Sequence, residues 1–306
     1  ILTMSMSNQE TRRGVLYAVS AFFIWGLFPL YWKPLAHVPA LQILCHRIVW
    51  SAVFVTGILL IQRNWAWLGD SLRQPARLRV FALSSLLLST NWLIYIWAVN
   101  ENRVVEASLG YFINPLVNVL LGRVFLGERL NPRQWLAIAI ATGAVLWLIA
   151  AKGVVPWVSL SLALSFGSYG LIRKMAGFDA MLGLTIETLL LAPLAIAALI
   201  WWTADGQIAF AHQGLSTDLL LLAAGLVTVL PLVCFLEAGL RLKMATLGIV
   251  QYLTPSMQFL LAVFVFHEHF DSARSVTFVC IWLALAIYTV DALRQHRMRP
   301  SAPEAE

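Results

Sequence analysis

The chain has 306 residues, 60% of them hydrophobic and 12% charged, with mean hydropathy +0.79 and a formal net charge of +6. Soluble domains carry about 25% charged residues, so a water-solvated globule is excluded and lipid is the solvent this composition demands. Cys45, Cys234 and Cys280 all lie in apolar runs and read as small buried hydrophobes, which leaves neither a disulfide framework nor a metal cluster, and no cofactor is expected.

A helix that crosses about 30 Å of hydrocarbon needs roughly 17 to 25 apolar residues. Ten such runs are predicted in chain order, at 14–33, 40–61, 80–99, 106–126, 134–151, 154–172, 180–202, 219–239, 246–266 and 275–292. They lack the every-second-residue alternation of barrel strands. The expected class is an all-α integral membrane protein. The first run is full length, and "WKPLAHVPA" after it offers no small-residue cleavage site, so it is expected to be retained. Met4 and Met6 in "ILTMSMSNQE" are alternative starts, and the polar tail "RMRPSAPEAE" reads as disordered. Between the second and third runs, "RNWAWLGDSLRQPARLR" suits either a short interfacial helix or a plain loop.

With the N-terminus inside, fifteen Lys and Arg residues fall on the inner side, and only Lys33, Arg103, Lys152 and Arg274 on the outer side. That is the asymmetry of the positive-inside rule, and ten crossings return the C-terminus to the cytoplasm. The tails 1–13 and 293–306 are therefore expected to be cytoplasmic, in a bacterial inner membrane protein. The basic residues are scattered over six inner segments, which argues against nucleic acid as a partner.

Along the runs, the polar residues stand out. His46 and Arg47 lie in the second, with Arg47 about 10 Å below its outer end at 1.5 Å per residue. A charge near a helix centre costs about 2.5 to 3.5 kcal/mol on insertion scales and needs a partner or a cavity. Asn91 and Trp92 sit at mid-depth of the third run. The fourth carries Tyr111, Asn114, Pro115 and Asn118; the ninth carries Gln251, Tyr252 and Pro255. A proline inside a helix frees a backbone carbonyl that hydrocarbon cannot satisfy. Pro115 and Pro255 are therefore expected to kink their helices, either around a polar cavity or for packing alone. Glu187, in the seventh run, lies as far from the inner face as Arg47 does from the outer. Either Arg47 binds an anionic group of a substrate while Glu187 carries a proton or meets a cationic group, or the two are structural charges. His46 is either a proton-coupling group or a hydrogen-bonded helix histidine. Glu237 is expected to pair with Arg241 at i,i+4. "HEH" at 267–269 lacks the HExxH spacing of a zinc site and reads as a solvated helix cap.

One offset of 140 residues carries Pro115 to Pro255, Glu128 to Glu268, Ala40 to Ala180, Arg47 to Glu187 and Asn91 to Pro231. Gly26 and Lys33 recur as Gly167 and Lys174, and the Ala-[Ser/Thr]-Leu-Gly at 107–110 recurs at 245–248. The chain thus divides into two units of five helices, 14–151 and 154–292. Five is odd, so the second unit must be inverted, an architecture of secondary transporters in which a midplane site faces the two sides in turn.

The motifs "FFIWGLFPLYWK", "HRIVWS", "NWLIYIWAVN", "EASLGYFINPLVNVLLG", "FLGERL", "SFGSYGLIRK" and "IETLLLAP" resemble the RarD (chloramphenicol-sensitive protein) subgroup of the EamA family, in the drug/metabolite transporter superfamily. The resemblance spans 14 to 292. It implies a ten-helix bundle in which helices one to four and six to nine surround a central cavity while five and ten stand outside, and transport without ATP. His267-Glu268 replaces the usual Gly-Glu ending in the second half, so Glu268 is not expected to be a functional twin of Glu128. The expected function is a secondary transporter, a permease or antiporter, moving a small amphipathic metabolite or drug with proton or other gradient coupling. The alternative is a membrane-embedded enzyme using His46, Arg47 and Glu187. A small-molecule substrate and membrane lipids are the expected partners, and a homodimer is left open.

Overall fold

The computed structural model describes residues 8–62, 74–127, 129–176, 180–242, 247 and 250–298, and among them every regular element is helical. In chain order these are α1 (Asn8–Gly26), α2 (Phe28–Trp32) with the 3-10 turn Lys33–Leu35, α3 (Ala40–Gln62), α4 (Pro75–Asn100), α5 (Val104–Phe125) and α6 (Pro132–Lys152). There follow α7 (Trp157–Ala176), α8 (Ala180–Ala204), α9 (Leu215–Arg241), α10 (Leu253–Leu260) with a π-helical turn Leu261–Val265, and α11 (Ser272–Met298).

Seven of these helices are long and apolar enough to cross a membrane, and the pair Gln9–Gly26 and Phe28–Leu35, bent by 42°, makes an eighth. Each of the ten predicted runs holds helix, but two fail as spans by length and composition. The α7 helix, with four serines and Arg173-Lys174 at its end, is not apolar enough. The ninth run is not the continuous helix 246–266 expected of it: Leu247 and Val250 are helical, Gln251 and Tyr252 form a turn, and helix resumes at Leu253. Residues 63–73, most of the suggested interfacial segment, lie outside the described residues, as does Glu128.

Local chemistry sets the ends. Pro75 occupies the first turn of α4, five residues ahead of the expected start, where a missing N–H costs nothing. Asn131 and Gln134 form a reciprocal capping box at the start of α6, and Gly153, at φ 64°, closes its end in the left-handed region. Pro115, Pro193 and Pro231 are all carried inside unbroken helices.

The helices pair in a regular way. The α3 helix packs on α8 and α9, α4 on α7 and α8, α5 on α7 and α10, and α1 on α9 and α10. The α6 and α11 helices pack chiefly on each other, and their apolar windows are only 22% and 28% buried, against 56% and 61% for α3 and α5. The fifth and tenth helices thus stand at the periphery, as the family resemblance implied. Asn131 and Arg133 reach Asp291 at 2.5 and 3.3 Å and fasten this outer pair. An aromatic wedge joins α11 to α5 and α10, with Phe259 at 4.7 Å from Phe278 and Phe112 at 6.0 Å from it.

Large apolar side chains such as Leu60, Leu146, Leu194 and Trp201 are exposed, while Arg47, Asn91, Glu187 and Gln258 are buried. This is the polarity of a protein solvated by hydrocarbon, with polar groups held inside where partners can satisfy them.

Candidate functional site

Two separate polar clusters lie inside the bundle. The first is built on Arg47. Its side chain is 3% exposed, its Nε donates to Thr228 Oγ1 at 2.9 Å, and Thr228 in turn donates to the Ala224 carbonyl. Its guanidinium carbon lies 3.9 Å from the ring centre of Trp92, 5.4 Å from Trp32 and 5.7 Å from Phe28. These π faces attract a cation that hydrocarbon would reject. Tyr31, Tyr95 and Tyr111 are within electrostatic reach of the same group. Among the described residues, no carboxylate pairs with Arg47.

Asn91 joins this cluster through Tyr111, whose hydroxyl donates to Asn91 Oδ1 at 3.3 Å. The Asn91 amide donates to the Leu162 carbonyl and to Ser165 Oγ, each at 3.0 Å, tying α4 to α7. Arg47, Asn91, Trp92 and Tyr111 were all visible as polar interruptions of apolar runs. Tyr31, Trp32, Tyr95 and Thr228 were missed, because aromatic and hydroxyl side chains are ordinary in membrane helices. One signal was present: Tyr95 lies four residues after Asn91, on the same helical face.

The second cluster is built on Glu187, 1% exposed. Ser84 Oγ donates to it at 2.5 Å, Tyr169 Oη at 3.2 Å, and Arg173 pairs with it at 3.6 Å. The Arg173 guanidinium occupies the space that a side chain at Gly183 would fill, one turn before Glu187. Glu187 is thus not in contact with Arg47. Leu88 stands one turn from Ser84 and one turn from Trp92, and with Val55, Leu59, Leu184 and Val229 it forms an apolar cluster flanked by Trp92 and Tyr169. Hydrocarbon side chains separate the two charges.

His46 faces elsewhere. Its ring lies 5.2 Å from that of Phe210, and neither of its buried nitrogens has a hydrogen-bond partner. One turn earlier, Gln42 donates to the Gln207 carbonyl at 2.8 Å and accepts from the Ala209 N–H at 3.0 Å, holding the 204–214 connection over α3. His46, Arg47 and Glu187 therefore stand in three separate places and form no common constellation.

The remaining candidates divide. Asn114 and Pro115 are buried, and Asn114 Oδ1 has no hydrogen-bond partner, whereas Asn118 is exposed. Gln251 is half-buried in the turn before α10. Tyr252 hydrogen-bonds with Thr289 and so turns toward α11. Pro255 is the third residue of α10, just after the turn at Gln251 and Tyr252 that interrupts the helical run between Val250 and Leu253.

Glu268 is not the solvated cap expected. It is buried, and its two carboxylate oxygens accept from the N–H groups of Val104 and Val105 at 2.7 and 2.8 Å, capping α5 from across the chain. Burial pushes its carboxyl above the ordinary range, while the two N–H groups, Lys33 and Arg274 pull it down. Glu237 and Arg241 form the expected ion pair, to which Glu10 adds a second carboxylate at 3.0 Å. No group of three or more metal-ligating side chains occurs among the described residues.

The EamA-like transporter family matches residues 12–150. An uncharacterized transporter of Pseudomonas aeruginosa is 48% identical over 96% of this chain and 99% of its own. The RarD protein of Escherichia coli is 45% identical over 95% and 99%. This chain belongs to the EamA family. Within it, the RarD proteins are near relatives; a chloramphenicol-sensitive RarD of Pseudomonas aeruginosa is 36% identical over 92% of this chain. A solved crystal structure, 20% identical, superposes with a TM-score of 0.59 over 91% of this chain and 98% of its own, a likeness of fold alone. The EamA assignment, the apolar helices and the bacterial relatives make this a bacterial membrane protein of a transporter family.

Proposed function

We propose that this EamA protein is a secondary transporter that moves a small amphipathic organic solute across a bacterial inner membrane by alternating access, with both termini cytoplasmic. Its two units, 14–151 and 154–292, act as inverted five-helix repeats whose ten membrane-embedded segments include the short α10 and the polar α7. A proton or another gradient drives it, and the Glu187–Arg173 cluster is the proton-sensitive element.

One observation carries this reading. Gly26 on α1 faces Met257 on α10, a Cβ at 26 falling 2.8 Å from its sulfur; Gly167 on α7 faces Val117 on α5, a Cβ at 167 falling 2.9 Å from its Cγ1. The repeat relates residue 26 to 167, an offset of 141, and residue 117 to 257, an offset of 140, so each contact is the image of the other with the halves exchanged. The helix pairings obey the same exchange. Swapping the halves turns α1–α9 into α7–α4, α5–α7 into α10–α1 and α3–α9 into α8–α4, and it leaves α3–α8, α5–α10 and α6–α11 unchanged. Two near-equivalent halves supply two near-equivalent conformations, which is what alternating access requires and catalysis does not. The family match over 12–150 covers nearly all of the first unit and supports the same division.

The test is uptake by purified protein in proteoliposomes under an imposed proton gradient, over a solute panel that includes chloramphenicol, the compound named in one relative. Movement of a solute is expected in the wild type, with loss of gradient response in Glu187→Gln. Failure of every solute to move under any gradient, in folded protein, would overturn the reading.

A further inference from the structure

Resting on that transporter reading, we propose that the Arg47 cluster is a recognition site for an organic monoanion, a carboxylate on a flat apolar body, with Arg47 as its counter-charge. The buried guanidinium has no acidic partner among the described residues, and its repeat counterpart Glu187 is engaged by Arg173, Ser84 and Tyr169. An uncompensated cation inside a membrane protein is costly and marks a place where a counter-ion binds.

Two further observations point the same way. The Trp32 indole N–H and the Tyr95 hydroxyl are buried without a hydrogen-bond partner, and both residues belong to this cluster. A buried indole N–H can only donate. With Arg47, whose one hydrogen bond in the structure is from Nε to Thr228, the cluster offers a surplus of donors. What satisfies such a set is a ligand that only accepts, and a carboxylate does so while matching the planar fork of a guanidinium.

The cluster also limits the cargo. One cation compensates one negative charge. Among the described residues no carboxylate stands here to receive an ammonium group, so zwitterions and cations gain nothing. Trp92, Trp32 and Phe28 supply flat apolar walls for the rest of the solute. In the present conformer the site is closed, Arg47 being 3% exposed, so entry belongs to the opening step of the transport cycle.

The experiment is calorimetric titration of the full chain in phosphatidylcholine nanodiscs, which supply no net-anionic headgroup. The probes are benzoate and phenylacetate, set against the neutral isosteres benzamide and phenylacetamide and the cation benzylamine. A carboxylate is expected to bind at least tenfold more tightly than its amide. The preference should vanish in Arg47→Gln, return in part in Arg47→Lys, weaken a few-fold in Tyr95→Phe and persist in the surface variant Arg123→Gln. Should Arg47→Gln fail to stay monodisperse, Arg47→Lys and Tyr95→Phe decide. Equal binding of acid and amide, binding indifferent to these variants, or no binding of either acid by folded wild type overturns the proposal. Proteoliposome counterflow separates the two readings. A neutral or cationic solute that moves independently of Arg47 sinks the anion site and leaves the transporter standing, whereas carboxylates that bind through Arg47 without crossing do the reverse.

Discussion

Arg47 and Glu187 stand 140 residues apart, at matching positions of the two proposed repeats, and their surroundings decide what each can do. Arg47 sits against π faces and a hydroxyl; Glu187 sits against a cation and two hydroxyls. The sequence revealed that both were buried charges needing explanation, but their partners come from other helices, α2, α4, α7 and α9, 14 to 181 residues away, and no local pattern names them. Glu268 makes the same point. As a letter beside two histidines it reads as a solvated cap, yet it satisfies two orphan N–H groups of α5, because the fold brings 268 to the start of that helix. Its neighbour Asp271 yields a prediction outside the membrane. Hydrogen bonding to Lys152, helped by the Arg274 N–H, holds its carboxyl below the ordinary 3.8. A depressed carboxyl contributes stability that is fully present above its unfolded value and is lost as pH falls through its folded value. The thermal midpoint of the wild type should therefore exceed that of Asp271→Asn at pH 7, and the gap should close as pH falls below about 4. A gap that is unchanged at pH 3 would mean the pair contributes nothing.

Among the elements, close approach separates the helices that matter from those that merely surround. Gly225 on α9 lies directly against the backbone of Trp50 on α3, and a side chain there would overlap it. Thr228, the hydrogen-bond partner of Arg47, follows Gly225 by three residues on the same helix face, so this contact sets the seat of the guanidinium. Gly225→Ala is expected to push α9 off α3, costing about 1 to 3 kcal/mol as overpacking does, and to weaken whatever depends on Arg47. Gly170→Ala, at an open position, should do neither. Detergent thermal unfolding of the two variants checks this. The helices themselves were legible as apolar runs. Their breaks were less so: Pro115 sits within one continuous helix, while the ninth run is interrupted at Gln251 and Tyr252, just ahead of Pro255 in the first turn of α10.

For the whole molecule, the exchange symmetry of the packing makes a topological prediction. If the second unit is inverted, the connection after α4 and the connection after α8 face the same side, although α4 and α8 lie in different halves. In a background with Cys45, Cys234 and Cys280 replaced, Asn102→Cys and Gln213→Cys should both react with an impermeant maleimide in intact cells. Arg133→Cys should react only after permeabilisation. Labelling of 102 and 213 from opposite sides would remove the inverted repeat and, with it, the argument for alternating access.

The sequence by itself determined the solvent, the helical class and the positions of the apolar runs, and it carries the spacing from which the duplication is proposed, since all of these are written in local composition and in spacing along one chain. It also marked Arg47, Asn91, Trp92, Tyr111 and Glu187, because a polar group in hydrocarbon is conspicuous wherever it stands. Only the tertiary structure decided that Arg47 and Glu187 belong to two clusters separated by Leu88 and its apolar neighbours, that His46 faces Phe210, and that Trp32 and Tyr95 are left with donors to offer. The physical reason is range: hydropathy is a property of a residue and its near neighbours, whereas the satisfaction of a buried polar group depends on which helices the fold brings against it.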